Sequence, residues 1–192
     1  MDVRDMHSEA IEAFSAHVDG VPPGAWGQPT PCEGWDVRAL VNHVVGENRW
    51  VPPLMHGSTV ADVGHALDGD LLGDDPIAAW RQSIPPALEA AASTDLAQPV
   101  HLSFGDLPAE QYLWQLTCDA LVHSWDLAHA TDQVESVPAE VVEACAAWFD
   151  GAEDLYRSSG AIGARVEVHS EDPFAVLLGR FGRDPRMPRP VL

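Results

Sequence analysis

The sequence predicts an all-α fold, a four-helix bundle with a short extra helix and a small β-like segment near the C-terminus. Two observations predict it. Apolar residues recur at three- and four-residue steps in several long segments, and prolines and glycines gather in the stretches between those segments. Because an amphipathic helix must bury its apolar stripe against other elements, helices in this number favour a bundle. The 192 residues are expected to form a single domain, residues 1–192, with a substantial core.

The first two helices are marked by apolar stripes and by residues that cap or stop them. The first is predicted over residues 2–19, and Gly20 ends it. A proline- and glycine-rich loop follows, and Asp36 is then a candidate N-cap for a second helix of about twelve residues. Pro52 and Pro53 are expected to stop or kink this second helix.

The next helix is predicted over residues 77–92, and Pro76 supplies a proline at its first position. Pro85 and Pro86 fall in its middle, so the helix is expected either to break into two pieces or to kink sharply. The preceding stretch, residues 57–75, is polar and dotted with glycines, and it predicts no more than a short helical turn.

The longest periodic segment covers residues 108–130, and its broad apolar surface predicts a central helix buried on more than one side. Before it, residues 99–105 are a candidate for a brief extended segment. After it, another helix is predicted over residues 138–158. The tail then carries a β-like run over residues 164–168 and a last helix over residues 173–181.

Charge and cysteine content restrict the classes of partner and the compartment. Asp and Glu number 30 against 10 Lys and Arg, and the net charge of -20 disfavours nucleic-acid and membrane partners. No run approaches about 18 consecutive apolar residues, and the first residues lack the pattern of a secretion signal. The three cysteines, Cys32, Cys118 and Cys145, form neither a disulfide framework nor a zinc-finger spacing, so a reduced, cytoplasmic protein is expected.

A carboxylate and an imidazole on the longest helix are the first candidates for a functional site. Asp119 and His123 lie four residues apart and therefore share one helix face. Such pairs often arise by chance, as a buried Asp–His hydrogen bond or as two groups at the solvent edge. The apolar residues around this pair leave little solvent-facing surface, which favours a polar site inside the bundle.

A third ligand is available if the second helix faces the longest one, since it carries His43. Taken alone, His43 would more often be an ordinary half-buried residue. With Asp119 and His123 it completes a set of two histidines and one carboxylate, which suits zinc, iron, nickel or manganese and leaves positions open for water or substrate. Glu47, one turn after His43, is a candidate fourth ligand, outer partner or general base, and a solvated surface carboxylate is an equal alternative.

Other polar residues rank lower in this interpretation. Asp126 and His129 follow on the same helix, but at 3.6 residues per turn they point about 60–100° or more away from the Asp119–His123 face. Cys32 lies in a proline-rich turn without an evident histidine partner, so a packing role is expected. The remaining histidines share no spacing and are expected at the surface or in loops: His7, His17, His56, His65, His101 and His169.

Four stretches resemble a known family. Residues 30–47 contain T-P-C-x-x-W-x-V-x-x-L-x-x-H-x-x-G-E, which resembles the N-terminal motif of the DinB/YfiT-like superfamily. Within it, the similarity is to an actinobacterial metal-binding branch related to the mycothiol-dependent maleylpyruvate isomerase N-terminal domain. Residues 107–112 (L-P-A-E-x-Y), 119–128 (D-x-x-x-H-x-W-D-L-A) and 178–185 (L-G-R-F-G-R-D-P) are similar to that branch as well.

This resemblance implies a four-helix bundle that holds a divalent metal, with zinc expected first and nickel or iron as alternatives, on His43, Asp119 and His123. It implies a metal-dependent thiol S-transferase that uses a low-molecular-weight thiol such as mycothiol on an electrophilic small molecule, with Glu47 assisting. The alternative is a non-catalytic metal-binding or stress-response protein of the same fold. The isomerase has glutamate where this chain has the shorter Asp119. The protein is also expected to form a homodimer.

Overall fold

The computed structural model describes residues 2–190, and its helices confirm the all-α prediction. Strands β1 (Pro99–Leu102) and β2 (Gly105–Pro108) form an antiparallel hairpin. Within residues 2–190, no helix combines the length and the apolar character needed to cross a membrane. The helices of the described part are α1 (Val3–Asp19), α2 (Val37–Met55), α3 (Val60–Val63), α4 (Pro76–Ser93), α5 (Ala109–Ala130), α6 (Ala139–Ser158) and α7 (Pro173–Arg180).

Four long helices form the bundle that the apolar periodicity predicts. Helix α1 packs against α5 and α4, and α2 packs against α4 and α5. Helix α6 lies on the outside of α5, and α7 packs on α6. The core includes Phe14 and Trp80, which are fully buried edge to face with their ring centroids 4.8 Å apart. Helix α5 is therefore the central helix, in contact with α1, α2 and α6, and all its residues from Ala120 to Ala130 are buried.

Capping aspartates fix where the bundle helices begin. The Asp36 side chain accepts a hydrogen bond of 2.7 Å from the Ala39 backbone N–H, and Asp75 accepts one of 3.0 Å from Ala78. Each carboxylate satisfies an N–H group that has no partner within the helix and complements the positive end of the helix dipole. The cap at Asp36 confirms the predicted start of α2, the helix that carries His43.

The two diproline pairs do not stop or break their helices, so of the two expected outcomes only a kink is left for each. Helix α2 continues through Pro52 and Pro53 to Met55, and α4 continues through Pro85 and Pro86 to Ser93. An interior proline costs about 3 kcal/mol through a lost hydrogen bond and a clash with the preceding turn. Packing offsets that cost here, because the residues next to the prolines are buried in one shared cluster: Val51, Leu54, Met55, Ala87, Ala90 and Ala91.

The β-like run predicted over residues 164–168 forms no strand, and the hairpin lies instead at residues 99–108, where the predicted extended segment began. Residues 164–168 have no strand to pair with and pack on α7. The Val166 N–H donates to the Gly179 carbonyl at 2.9 Å. A Cβ at Gly179 would lie 2.6 Å from the Val166 carbonyl oxygen, so only glycine allows this approach.

Two histidines predicted at the surface are buried. His7 is 1% exposed and His17 is 3% exposed, both on the inner face of α1. Their positions continue the three- and four-residue spacing of the neighbouring apolar residues Ala10 and Phe14, so the helical pattern itself placed them inside. His56, His65 and His169 are exposed and His101 is half-buried, as the prediction for loop residues requires.

The burial of His7 predicts a loss of stability in acid. Neither ring nitrogen has a hydrogen-bond partner within residues 2–190, and burial lowers the pKa of His7 from 6.5 to about 4. Below pH 6.5 His7 is protonated in the unfolded chain, whereas in the folded chain it stays neutral down to about pH 4. Between pH 6.5 and 4 the free energy of unfolding therefore falls by about 3 kcal/mol because of His7. Urea unfolding of wild type and His7→Leu between pH 7 and 4.5 measures this loss of unfolding free energy.

Carboxylates titrate in the same pH range, so the test of His7 is a difference between variants. We expect wild type to lose about 2 kcal/mol more than His7→Leu between pH 7 and 4.5. The His65 side chain is 97% exposed, and the control His65→Leu should follow wild type. Parallel pH profiles for wild type and His7→Leu would contradict the prediction.

Candidate metal centre

The structure brings His43, Asp119 and His123 together, as the spacing and the facing of two helices predict. The Asp119 carboxylate lies between the two imidazoles, with Oδ2 at 3.1 Å from His43 Nε2 and Oδ1 at 3.4 Å from His123 Nε2. One donor atom from each residue lies within 4.8 Å of the other two. Ligands of a tetrahedral divalent ion stand roughly 3.3 Å apart when each is about 2.0 Å from the ion. The three donors are therefore close enough to bind a single ion after small shifts of the side chains, and their role as ligand set stays a prediction.

The three side chains strongly perturb one another's protonation. Burial alone would lower the pKa of His123, but the charge of Asp119 and hydrogen bonds to Asp119 and Asp126 raise it to about 9. Burial likewise opposes the charged form of Asp119, and the two histidines overcome this and hold its pKa well below the usual range. The pKa of His43 is raised by Asp119 against the effect of burial. The Asp119 carboxylate therefore stabilises positive charge on the two imidazoles beside it.

Asp126 is a member of the site, which corrects the prediction that it points away. It is completely buried, and its Oδ2 accepts a hydrogen bond of 2.9 Å from His123 Nδ1. With Nδ1 bound to Asp126, Nε2 of His123 is the nitrogen that faces Asp119. A carboxylate behind a histidine ligand fixes its tautomer and ring orientation. The three-residue spacing between His123 and Asp126 was the signal in the sequence, since residues at this spacing can also meet on a helix.

Arg183 is a second residue that the site analysis of the sequence missed. Its Nη2 lies 2.8 Å from Asp126 Oδ2 and its Nε lies 3.1 Å from Oδ1, which makes a bidentate pair. This pair neutralises the buried Asp126 carboxylate, and together with His123 it lowers the pKa of Asp126 against the effect of burial. Arg183 is 57 residues away in the chain, and no spacing pattern connects it to the site.

Glu47 lies beside the outer nitrogen of His43. Its Oε1 is 4.0 Å from His43 Nδ1, whereas the other ring nitrogen, Nε2, faces Asp119. Burial and the nearby Asp119 charge raise the pKa of Glu47 to about 7, although both histidines of the site act in the opposite direction. Both histidines of the cluster thus have a carboxylate on the Nδ1 side, close at His123 and more distant at His43.

A cavity of about 240 Å³ opens beside the three residues. The Trp35 ring stacks on His123 with 5.7 Å between ring centroids and lies 4.8 Å from the ring of His43. The opposite walls come from α5, from α6 and from the segment after α7. The remaining lining combines aromatic and polar residues with small and aliphatic ones: Gln115, Trp148, Tyr156, Phe181, Arg183, Cys32, Cys118, Val122, Ala161 and Ile162. The candidate ligands therefore face a small space with mixed aromatic, polar and aliphatic walls.

Cys32 lines this cavity and is half-buried. Burial raises the pKa of the Cys32 thiol, and the nearby Arg183 charge only partly opposes that effect. A raised pKa keeps a cysteine in its weakly reactive thiol form at neutral pH. Cys32 is therefore a neutral thiol in the cavity wall, and the packing role expected from the sequence stays a prediction.

Comparison with known families identifies the chain. The model of the mycothiol maleylpyruvate isomerase N-terminal domain matches residues 7–128, well over half of the 192 residues. The chain belongs to this isomerase N-terminal domain family. The matched range contains all three candidate ligands, whereas Trp148, Tyr156 and Arg183, which complete the cavity and its support, lie beyond it.

The chain is also similar to two curated proteins. The uncharacterized proteins MT0763 and Rv0738, from two strains of Mycobacterium tuberculosis, are each 33% identical to this chain over 142 residues, which is 73% of this chain and 74% of each relative. Both relatives are uncharacterized, so the similarity adds no reaction.

Solved structures of the mycothiol-dependent maleylpyruvate isomerase and of a histidine-to-alanine mutant share the fold, with TM-scores of 0.58 and 0.59. Sequence identity to both is 17%, and the match covers 73% of this chain and 65% of the isomerase chain. The match thus spans slightly less than two thirds of the isomerase. It confirms the DinB-like helical fold expected from the resemblance.

Proposed function

We propose that this protein is a divalent-metal-dependent enzyme that transfers a low-molecular-weight thiol of the mycothiol type to an electrophilic small molecule. The observation that carries the proposal is the cavity that opens directly beside His43, Asp119 and His123. Two imidazoles and one carboxylate leave coordination positions open, which is the arrangement of catalytic sites. Membership of a family described by its mycothiol-dependent isomerase supports a thiol as one of the two substrates.

In this proposal His43, Asp119 and His123 would hold the ion, and zinc is the ion proposed first, with nickel or iron as alternatives. A bound divalent ion lowers the pKa of a coordinated thiol and keeps it nucleophilic at neutral pH. The protein's own residues supply the rest. Asp126 holds His123 in one tautomer, and the Trp35 ring covers both histidines and excludes water from one side.

Glu47 is proposed to assist the site through His43. Its position at 4.0 Å from His43 Nδ1 is that of an outer partner that orients the imidazole. Glu47 is not among the residues that line the cavity in the described part of the chain, so contact with substrate as a general base is the less favoured role. A base would have to reach the proton that it removes within about 3 Å or through one water.

The domain organisation, compartment, partners and assembly state are proposed as well. The protein would act as a single domain in the reduced cytoplasm, and its charge of -20 supports small-molecule partners over nucleic acid or membrane surfaces. A homodimer is proposed as its assembly state.

Metal analysis and a thiol-transfer assay test the proposal together. Purified wild type should contain about one equivalent of a divalent ion and should transfer mycothiol to monobromobimane faster than the uncatalysed reaction. His43→Ala should lose both the ion and the activity, whereas the control His65→Ala, at an exposed position, should keep both. An ion without turnover over a panel of electrophiles would favour the non-catalytic metal-binding alternative. Unchanged metal content in His43→Ala would reject the ligand set.

A further inference from the structure

Four polar residues follow one another at four-residue steps along α5: Gln111, Gln115, Asp119 and His123. Residues at this spacing lie one turn above another, so the two glutamines extend the face that carries the candidate ligands. Each glutamine binds an aromatic residue of α6. Trp148 Nε1 donates to Gln111 Oε1 at 2.8 Å, and the Tyr156 hydroxyl donates to Gln115 Oε1 at 2.9 Å.

Gln115 differs from Gln111 because it lines the cavity, as does its partner Tyr156. Its carbonyl oxygen is taken by the Tyr156 hydroxyl, and its amide nitrogen makes no hydrogen bond within residues 2–190. The side chain therefore has two N–H donors left, one turn of α5 from Asp119. Trp148 and Phe181 contribute flat apolar walls to the same space.

We propose that Gln115 is a specificity-determining residue that binds an acceptor oxygen of a planar electrophile, with Tyr156 orienting its amide. This inference rests on the proposed function, since it assigns the substrate class of that site. The cavity of about 240 Å³ lies below the roughly 300–1,000 Å³ of sites for drug-sized ligands, so only about one ring of the electrophile is proposed to enter it, and most of the thiol cosubstrate stays outside. The class is a one-ring electrophile with a carbonyl or similar oxygen next to the reacting carbon.

Phenacyl bromide is a probe of this class. The thiolate sulfur attacks its methylene carbon, a C–S bond forms, the C–Br bond breaks, and bromide leaves with the electron pair. The thiol proton passes to solvent. The ketone is not consumed, and its oxygen accepts the hydrogen bond from the Gln115 amide. In α-(bromomethyl)styrene a CH₂ group replaces that oxygen, so the shape and the displacement stay the same while the acceptor is lost.

The experiment compares kcat/KM of the metal-loaded enzyme for the two bromides, with mycothiol as the thiol. Gln115→Leu should lower kcat/KM for phenacyl bromide about 3- to 10-fold, the effect of one hydrogen bond, and should change the value for the styrene less than 2-fold. Tyr156→Phe should shift the same ratio in the same direction, because the amide loses its orienting partner. Gln111→Leu, the same change one turn away and outside the cavity lining, should leave the ratio unchanged.

A uniform loss with both bromides in Gln115→Leu, or no loss with either, would overturn the assignment. Binding of ligands without a leaving group to the metal-free protein tests the Gln115 subsite independently of the proposed reaction. In an NMR titration, Gln115→Leu should weaken binding of acetophenone about 3- to 10-fold and leave that of α-methylstyrene unchanged. If wild type turns over neither bromide but this difference is seen, the reaction is wrong and the subsite stands. Equal effects on both ligands would reject the subsite whatever the activity.

Discussion

The variant His123→Ala is expected to lose its divalent ion and its thiol-transfer activity while remaining folded. Replacement of an outer partner alone costs about 10- to 100-fold in metal affinity, so removal of a ligand should cost more than about 100-fold. The fold should survive, because Asp126 keeps its bidentate pair with Arg183 when the imidazole is removed. Competition with a chromogenic chelator measures the affinity, and far-UV circular dichroism checks the helices.

The matched control for this variant is His129→Ala. His129 lies on the same helix and is 5% exposed, as His123 is, but its Nε2 faces the Pro188 carbonyl at 3.2 Å, away from the ligand cluster. We expect His129→Ala to keep its ion and its activity. Equal metal affinity in wild type and His123→Ala would remove His123 from the ligand set and the proposed mechanism with it.

The variant Arg183→Leu is expected to be destabilised by about 3–5 kcal/mol, since it leaves the completely buried Asp126 carboxylate without its guanidinium partner. Urea unfolding at pH 7 measures the loss. An ion pair at the surface should behave differently. Arg186 and Asp184 form such a pair with side chains 64% and 40% exposed, and Arg186→Leu should cost much less than Arg183→Leu.

A double-mutant cycle separates the ion pair from general packing. Removal of the buried charge together with its partner, in Asp126→Asn/Arg183→Leu, should leave the protein more stable than Arg183→Leu alone. Strict additivity of the two single changes, or a cost for Arg183→Leu no larger than that for Arg186→Leu, would show that the pair is dispensable.

The metal-centre candidates could be predicted because helical spacing is local information. Asp119 and His123 are linked by the four-residue step, and only the facing of α2 and α5 had to be assumed to add His43. Arg183 could not be found in this way, since its contact with Asp126 depends on where a distant segment returns to α5. The prediction from helix geometry that Asp126 points away from the Asp119–His123 face was wrong as a guide to contact. The Asp126 carboxylate reaches His123 Nδ1, the ring nitrogen that does not face Asp119, and this contact needs no shared face.

In the fold, too, the features set by local sequence could be predicted, whereas those set by packing between distant elements could not. Apolar periodicity and capping residues predicted the long helices, and Asp36 caps α2 as expected. The sequence could not decide between a break and a kink at Pro52 and Pro85, because the packing that offsets the proline cost is contributed by the partner helix. Residues 164–168 have the composition of a strand, but a strand exists only where another backbone pairs with it.

Asp126 touches both His123 and Arg183, and in the proposed metal site this joint contact would tie ion binding to the docking of the segment that follows α7. Thermodynamic linkage is reciprocal: if the docked segment strengthens ion binding by some factor, the ion strengthens docking by the same factor. Proteases cleave chain that has detached from the surface, so chelation of the ion should expose the peptide bonds around Arg183 to trypsin. The cleavage rate at this segment would then serve as a gauge of site occupancy that needs neither a substrate nor a spectroscopic metal.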